Sequence, residues 1–95
     1  MYQLFPTKVF LRKAKSILDT QIKKNALEKT LQNLEIDPFS SALRTHKVQS
    51  RNFGQMYCSK VTPDLRLIWN FDQENNLILL LLDIGGHSGS NKVYN

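Results

Sequence analysis

The residues with the clearest chemical potential lie in the last third of the chain. His87 follows Gly85 and Gly86 at the end of an apolar segment, and Arg66 lies within another segment rich in Leu, Ile, Trp and Phe. A polar side chain among such residues needs a partner or a function, because burying it alone costs free energy. An imidazole beside a guanidinium suits acid and base chemistry on a phosphate ester. The pattern therefore favours phosphodiester chemistry at the end of a sheet, with His87 as general acid.

RNA cleavage without a metal needs a base for the 2′-hydroxyl, an acid for the leaving 5′-oxygen and cations for the phosphorane. Each candidate also has a structural explanation. His46 suits a loop hydrogen bond, Asp64 a turn cap, and Lys60 a solvated strand position. Arg66 suits an ion pair with Asp64 or Asp83 nearly as well as a phosphate clamp. Tyr94 suits stacking on a base, or a place in the core.

Metal and cofactor chemistry have no support in the sequence. No cluster of His, Cys and carboxylates has the spacing of a metal site, and no glycine-rich loop is present that would hold a phosphate. Cys58, the only cysteine, cannot form an internal disulfide and is expected to be a small buried residue. We therefore expect neither a metal nor a cofactor.

Positive charge is concentrated in the first two-thirds of the chain. Residues 1–60 hold eleven Lys or Arg against four Asp or Glu, a balance of +7, whereas residues 61–95 hold two against four, a balance of −2. Such asymmetry favours a polyanion or an acidic protein as partner, although single lysines are more simply solvated. The RNA-binding candidates are Lys13, Arg44, Lys47 and Arg51.

The first half of the chain predicts one strand and two helices. Residues 2–5 suit a short strand that stops at Pro6, and Thr7 suits the N-cap of a first helix. The segment 25–28, Asn-Ala-Leu-Glu, has the spacing of a capping box and predicts the start of a second helix. That helix is expected to end near residues 35–37, since Pro38 cannot continue it.

The second half predicts strands at residues 53–61, 65–71 and 77–84, with a possible short strand at 92–94. The strand at 77–84 is apolar at successive positions, so it should be central and covered on both faces. We expect one α+β domain over residues 1–95, in which an N-terminal strand and a helical hairpin pack on a three- to four-stranded, mainly antiparallel sheet. The face opposite the helices should be partly open, next to a basic surface.

No segment approaches the roughly 20 apolar residues that span a bilayer, and no signal peptide is recognisable. We therefore expect a cytoplasmic protein with no membrane partner.

In combination, these motifs resemble a known family. Tyr57-Cys58-Ser59-Lys60-Val61, Asp64-Leu65-Arg66-Leu67-Ile68-Trp69, Asp83-Ile84-Gly85-Gly86-His87 and Val93-Tyr94, after a helical hairpin and His46, resemble the RelE/ParE superfamily of bacterial toxins. Within it, the chain is most similar to the YafQ-type branch. The resemblance implies a RelE-like fold and a ribosome-dependent endoribonuclease that cuts messenger RNA, contacts 16S ribosomal RNA and is silenced by a cognate antitoxin.

The resemblance also implies roles for particular residues. The active-site positions of the YafQ branch match His46, Lys60, Asp64 and His87. The phosphate-contacting arginine of RelE-like enzymes matches Arg66, and the aromatic residue that stacks on the cut nucleotide matches Tyr94.

The chain departs from the family pattern at two places. Lys60 stands where the branch has a third histidine, which leaves His46 or Asp64 as the base. The usual Gly-Thr-His is Gly85-Gly86-His87 here, and the loop before Tyr94 is longer. Two other functions share this fold: a ParE-like inhibitor of DNA gyrase, and an inactive relative that only binds an antitoxin.

Overall fold

A computed structural model describes residues 1–86 and 92–94 of the protein. Within these residues, two α-helices, one 3-10 turn and five strands follow one another. They are β1 (Gln3–Pro6), α1 (Lys8–Ile17), α2 (Gln21–Ile36), the 3-10 turn (Ser41–Leu43), β2 (His46–Ser50), β3 (Gly54–Lys60), β4 (Leu65–Phe71) and β5 (Ile78–Gly86). Within these ranges, neither helix combines the length and apolar character needed to cross a bilayer.

The two helices begin at threonine caps. The Thr7 hydroxyl accepts a hydrogen bond from the Phe10 amide, which confirms the predicted start of α1. The predicted start of α2 at Asn25 is wrong, because the Thr20 hydroxyl caps this helix by accepting from the Lys23 amide at 3.2 Å. Asn25 instead lies one turn inside α2. The end of α2 at Ile36, before Pro38, agrees with the prediction.

All five strands form one sheet with the order β1-β5-β4-β3-β2. β1 runs parallel to β5, and the other neighbouring strands are antiparallel. The prediction missed β2, whose sequence His-Lys-Val-Gln-Ser has one apolar residue and was interpreted as a loop. An edge strand exposed to solvent has little need of apolar residues, so its sequence carries a weak signal. With this strand added, the predicted α+β fold is confirmed.

Both helices cover one face of the sheet. Phe10 and Ala14 of α1 and Leu27 and Leu34 of α2 pack with the alternating side chains of β4 that include Trp69. The Trp69 indole is fully buried, and its nitrogen donates to the Ser59 hydroxyl at 2.8 Å, so its one polar atom is satisfied. Residues 81–86 of β5 are all buried, which confirms its central position.

The opposite face of the sheet carries a second cluster and is less open than the sequence predicted. Cys58 and Ile68 are fully buried there, and Leu82 and Val93 are buried beside them. Val93 belongs to the C-terminal tail (residues 92–94), so the chain's own end covers part of this face. The predicted last strand forms only two isolated bridges, Ser50 with Tyr94 and Gly86 with Lys92.

The tail shows that the sheet is strongly curled. It pairs with both β2 and β5, although β3 and β4 lie between them in the sheet. A flat sheet would separate β2 from β5 by three spacings of about 4.8 Å, too far for a three-residue segment to pair with both. The outer strand β2 therefore bends back towards β5 across the second face.

Candidate functional site

Three of the predicted site residues lie on one face and at one end of the sheet. Lys60 at the end of β3 is directly opposite Arg66 at the start of β4, and His46 at the start of β2 is opposite Cys58. Residues directly opposite in an antiparallel pair point to the same face, and alternate residues share it. His46, Lys60 and Arg66 therefore share the face that carries Cys58 and Ile68.

Lys60 and Arg66 form a like-charge pair. Opposite residues in adjacent strands have Cβ atoms about 5 Å apart, and like-charged side chains at directly opposite positions destabilise a sheet. Both side chains are half-buried, so solvent screens them less than it would on the open surface. A bound anion would reverse this repulsion, because both cations would then contact one negative group.

The Arg66 guanidinium is held by backbone carbonyls. Its Nη1 donates to the Thr62 carbonyl oxygen at 2.5 Å and to that of Leu65 at 3.3 Å. The alternative in which Arg66 pairs with Asp64 or Asp83 is not observed, since no ion pair among the described residues includes Arg66. The two carbonyls fix the guanidinium and leave its full charge available.

His46 is exposed and has a defined hydrogen bond. Its Nδ1 lies 2.8 Å from the carbonyl oxygen of Arg44. A carbonyl oxygen only accepts, so Nδ1 carries the hydrogen, and the neutral ring keeps its lone pair on Nε2. Arg44 has φ 50°, in the left-handed region that is uncommon for residues other than glycine. This arrangement suits a general base whose second nitrogen is free to take a proton.

Cys58 lies beneath the site and is fully buried. Burial raises the pKa of its thiol to about 11, and the nearby Arg66 guanidinium opposes the shift only in part. The thiol is therefore protonated at neutral pH, which does not suit a nucleophile. The predicted small buried residue is confirmed.

The other three catalytic candidates are Asp64, Tyr94 and His87. Asp64 is exposed in the β3–β4 turn, at the same end of the sheet as Lys60 and Arg66. Tyr94 is half-buried against the second cluster and bridges to Ser50. His87, the predicted general acid, lies outside the described residues.

The four predicted RNA-binding residues have different surroundings in the structure. Lys13 makes an ion pair of 2.6 Å with Asp83, and Lys47 lies over the ring of Tyr57 at 5.7 Å from its centroid. Since Lys47 is opposite Tyr57 in the sheet, it points to the helix-covered face and away from His46. Arg51 donates through Nη1 to the Lys92 carbonyl oxygen at 3.4 Å.

Arg44, the fourth of these, contributes its carbonyl oxygen to the His46 ring. Asn52, to which no sequence motif assigns a role, donates through its side-chain amide to the buried Asp83. The one sequence signal for this contact was Asp83 itself, a carboxylate that directly follows the six aliphatic residues 77–82. Within residues 1–86 and 92–94, no three His, Cys, Asp or Glu side chains are grouped closely enough to hold a metal ion.

Solved structures share this architecture over nearly the whole chain. YafQ from Escherichia coli strain BL21(DE3) matches with a TM-score of 0.68 and 18% identity, covering 90% of this chain and 93% of that one. A chain of the archaeal RelE-RelB complex from Pyrococcus horikoshii OT3 matches with a TM-score of 0.71 and 13% identity, covering 94% of this chain and 98% of that one. The chain has the fold of the RelE and YafQ toxins.

A metal-bound toxin from Helicobacter pylori has the same fold, with a TM-score of 0.71, 20% identity and coverage of 92% of this chain and 96% of that one. No protein-family model matches the sequence, and no curated protein is significantly similar to it. The predicted resemblance to RelE/YafQ toxins is thus confirmed in the fold. Identities of 13 to 20% leave the chemistry to be argued from the residues.

Proposed function

We propose that this protein is the toxin of a type II toxin-antitoxin system and an endoribonuclease that cleaves messenger RNA on the ribosome. The observation that carries the proposal is the half-buried Lys60–Arg66 pair, with the His46 imidazole on the same face of the sheet. Repulsion between two opposed cations is a cost to the fold that a bound phosphate would offset. Two adjacent cations would stabilise the charge that develops on a phosphorane.

The proposed reaction is transesterification by the 2′-hydroxyl. His46 takes the hydroxyl proton through Nε2, since Nδ1 is held by the Arg44 carbonyl oxygen. Asp64 is the second candidate for this role. The 2′-oxygen attacks the phosphorus, and the 5′-oxygen leaves with a proton from His87. The products are a 2′,3′-cyclic phosphate, or the 3′-phosphate after hydrolysis, and a free 5′-hydroxyl.

Two further parts of the proposal concern recognition. Tyr94 stacks on the base next to the cut, and the ribosome supplies the RNA in the required conformation, with contacts to 16S ribosomal RNA. The partner that silences the toxin is a cognate antitoxin, in line with the RelE-RelB and DinJ-YafQ complexes, whose toxins have this fold. The site of action would be the cytoplasm.

Brief induction of the chain in bacterial cells, followed by mapping of message 5′ ends, tests the proposal. The native chain should produce cuts in register with codons, and Arg66→Ala and His87→Ala should each remove them while the far-ultraviolet circular dichroism is retained. Lys29→Met, which removes a positive charge from exposed α2 surface, is the matched control and should cut normally.

Two results would contradict the proposal. One is full cutting by both variants, which would show that neither side chain takes part. The other is growth arrest with intact messages and accumulated gyrase-DNA complexes, which would favour the ParE-like alternative.

A further inference from the structure

Asp83 is a fully buried carboxylate to which the proposed reaction gives no role. It has 0% of its surface exposed and lies in β5, three residues before its end. Three groups donate to its oxygens: the Lys13 ammonium at 2.6 Å, the Asn52 side-chain amide at 3.2 Å and the Ile84 backbone amide at 2.9 Å. One side chain thereby joins α1, the β2–β3 turn and β5.

The bond to Asn52 connects parts of the sheet that are not neighbours. Asn52 lies in the turn between β2 and β3, and β4 separates β3 from β5. In a flat sheet β3 and β5 would be about 10 Å apart, twice the spacing of neighbouring strands. A distance of 3.2 Å between these side chains therefore requires the turn to fold over the second face towards β5.

The C-terminal tail lies between the same two parts of the molecule. The Val93 amide donates to the Gly86 carbonyl oxygen at 3.2 Å, and the Arg51 amide donates to the Val93 carbonyl oxygen at 3.0 Å. Val93 is 1% exposed, so it fills the space between the turn and the end of β5. The Asn52–Asp83 bond also joins the turn to β5.

If this position needed only to be filled, an apolar residue would avoid the free-energy cost of burying the Asp83 carboxylate. A buried carboxylate must recover its lost hydration from its partners, and an apolar residue of similar size often stabilises a fold as well or better. Its three donors come from α1, the turn and β5, so the gain is a fixed relation among these elements. Lys13, which was predicted to bind RNA, is one of these donors and forms an ion pair with Asp83.

We propose that Asp83 is a positioning residue that holds the β2–β3 turn against β5 and thereby fixes the tail that carries Tyr94. The consequence for catalysis rests on the proposed function, in which Tyr94 stacks on the substrate base. The effect on the tail does not rest on it. Loss of the Asn52–Asp83 bond should loosen the tail first and leave the helix-covered core unchanged.

Hydrogen exchange of backbone amides tests the positioning without any RNA. Asn52→Ala removes the donor from the exposed turn and leaves the Lys13–Asp83 pair in place, so the variant should fold. Its Val93 amide should exchange at least about tenfold faster than in the native chain, as expected when a hydrogen bond to a charged group is lost. The Trp69 amide should exchange at its native rate.

Asn25→Ala is the matched control, because it removes the same side chain from exposed α2 surface, and it should leave Val93 exchange unchanged. Asn52→Asp should loosen the tail further, since two carboxylates would then face each other. Native exchange at Val93 in Asn52→Ala would overturn the proposal. Equal acceleration at Val93 and Trp69 would also overturn it, because the bond would then only stabilise the whole fold.

Cleavage kinetics of Asn52→Ala on programmed ribosomes tests the catalytic consequence. A loosened tail should raise KM severalfold with little change in kcat, because Tyr94 holds the substrate and takes no proton. Unchanged KM together with fast Val93 exchange would show that the tail is positioned but does not bind substrate. Absence of cleavage by the native chain would contradict the proposed function and leave the exchange result intact.

Discussion

At the scale of single residues, the two opposed cations of the site lower the stability of the fold. Lys60 and Arg66 are half-buried and opposite each other, and within the described residues neither has a carboxylate partner. Selection for stability alone would replace one of them with an apolar or acidic residue. The uncompensated charge of this pair is the physical reason to place an anionic substrate there.

Lys60→Met should therefore stabilise the protein while it impairs cleavage. Removal of one charge should raise the free energy of unfolding by about 0.5 kcal/mol, the usual size of a cross-strand pair interaction. Urea denaturation measures this gain, and cleavage assays on programmed ribosomes should show a lower rate. Lys29→Met, far from the site on α2, should change neither quantity by much. A less stable Lys60→Met variant would mean that Lys60 has a structural partner.

His46 should act through one nitrogen only. His46→Ala removes the proposed base and should lower the single-turnover cleavage rate by about 10² or more, the usual contribution of a general base. Stability should change little, because the side chain is exposed. If His46→Ala cleaves normally and Asp64→Ala does not, then Asp64 is the base.

At the scale of elements, local sequence predicted most of the secondary structure. Three features were predicted correctly: the N-cap Thr7, the end of α2 before Pro38 and the bounds of β4. Each of them depends on residues within one turn or one strand. The start of α2 was misplaced because Ile17, Leu18 and Ile22 continue a helical spacing across the break between the helices. β2 was missed because an exposed edge strand needs few apolar residues.

Two substitutions on α2 distinguish the observed cap from the predicted one. Thr20→Ala should lower the free energy of unfolding by about 1 kcal/mol, since it leaves the Lys23 amide without its acceptor. Asn25→Ala should change stability by less than about 0.5 kcal/mol, because Ala is the better helix former at an exposed internal position. Thermal or urea unfolding of both variants measures the contrast. A larger loss for Asn25→Ala would restore the predicted capping box.

At the scale of the whole molecule, contacts between residues far apart in the chain could not be predicted from the sequence. Lys60 and Arg66 were predicted to lie on consecutive strands, but that they are directly opposite each other follows only from the observed register. The Lys13–Asp83–Asn52 cluster was not predictable, because its members lie 31 to 70 positions apart in the numbering and meet only when the sheet curls. The same curl buries Cys58, whose surroundings come from β2, β4 and the tail.

The buried Cys58 thiol should make the free energy of unfolding fall as the pH rises through the alkaline range. Burial raises the pKa of Cys58 from 9.0 to about 11, so the unfolded chain loses the thiol proton first as the pH rises. Between these values the folded state binds more protons, and its stability falls with rising pH. Cys58→Ala lacks this contribution. From pH 8 to pH 10.5 the native chain should therefore lose stability relative to Cys58→Ala by about 2 kcal/mol.

Urea denaturation of both proteins at the two pH values measures this difference, and the titration of other groups cancels in the comparison. A difference that stays constant would mean that water reaches Cys58 in the folded state and that the second face opens readily. The tail covers that face, so Asn52→Ala should bring the two pH dependences closer together if the tail is what keeps water from the thiol.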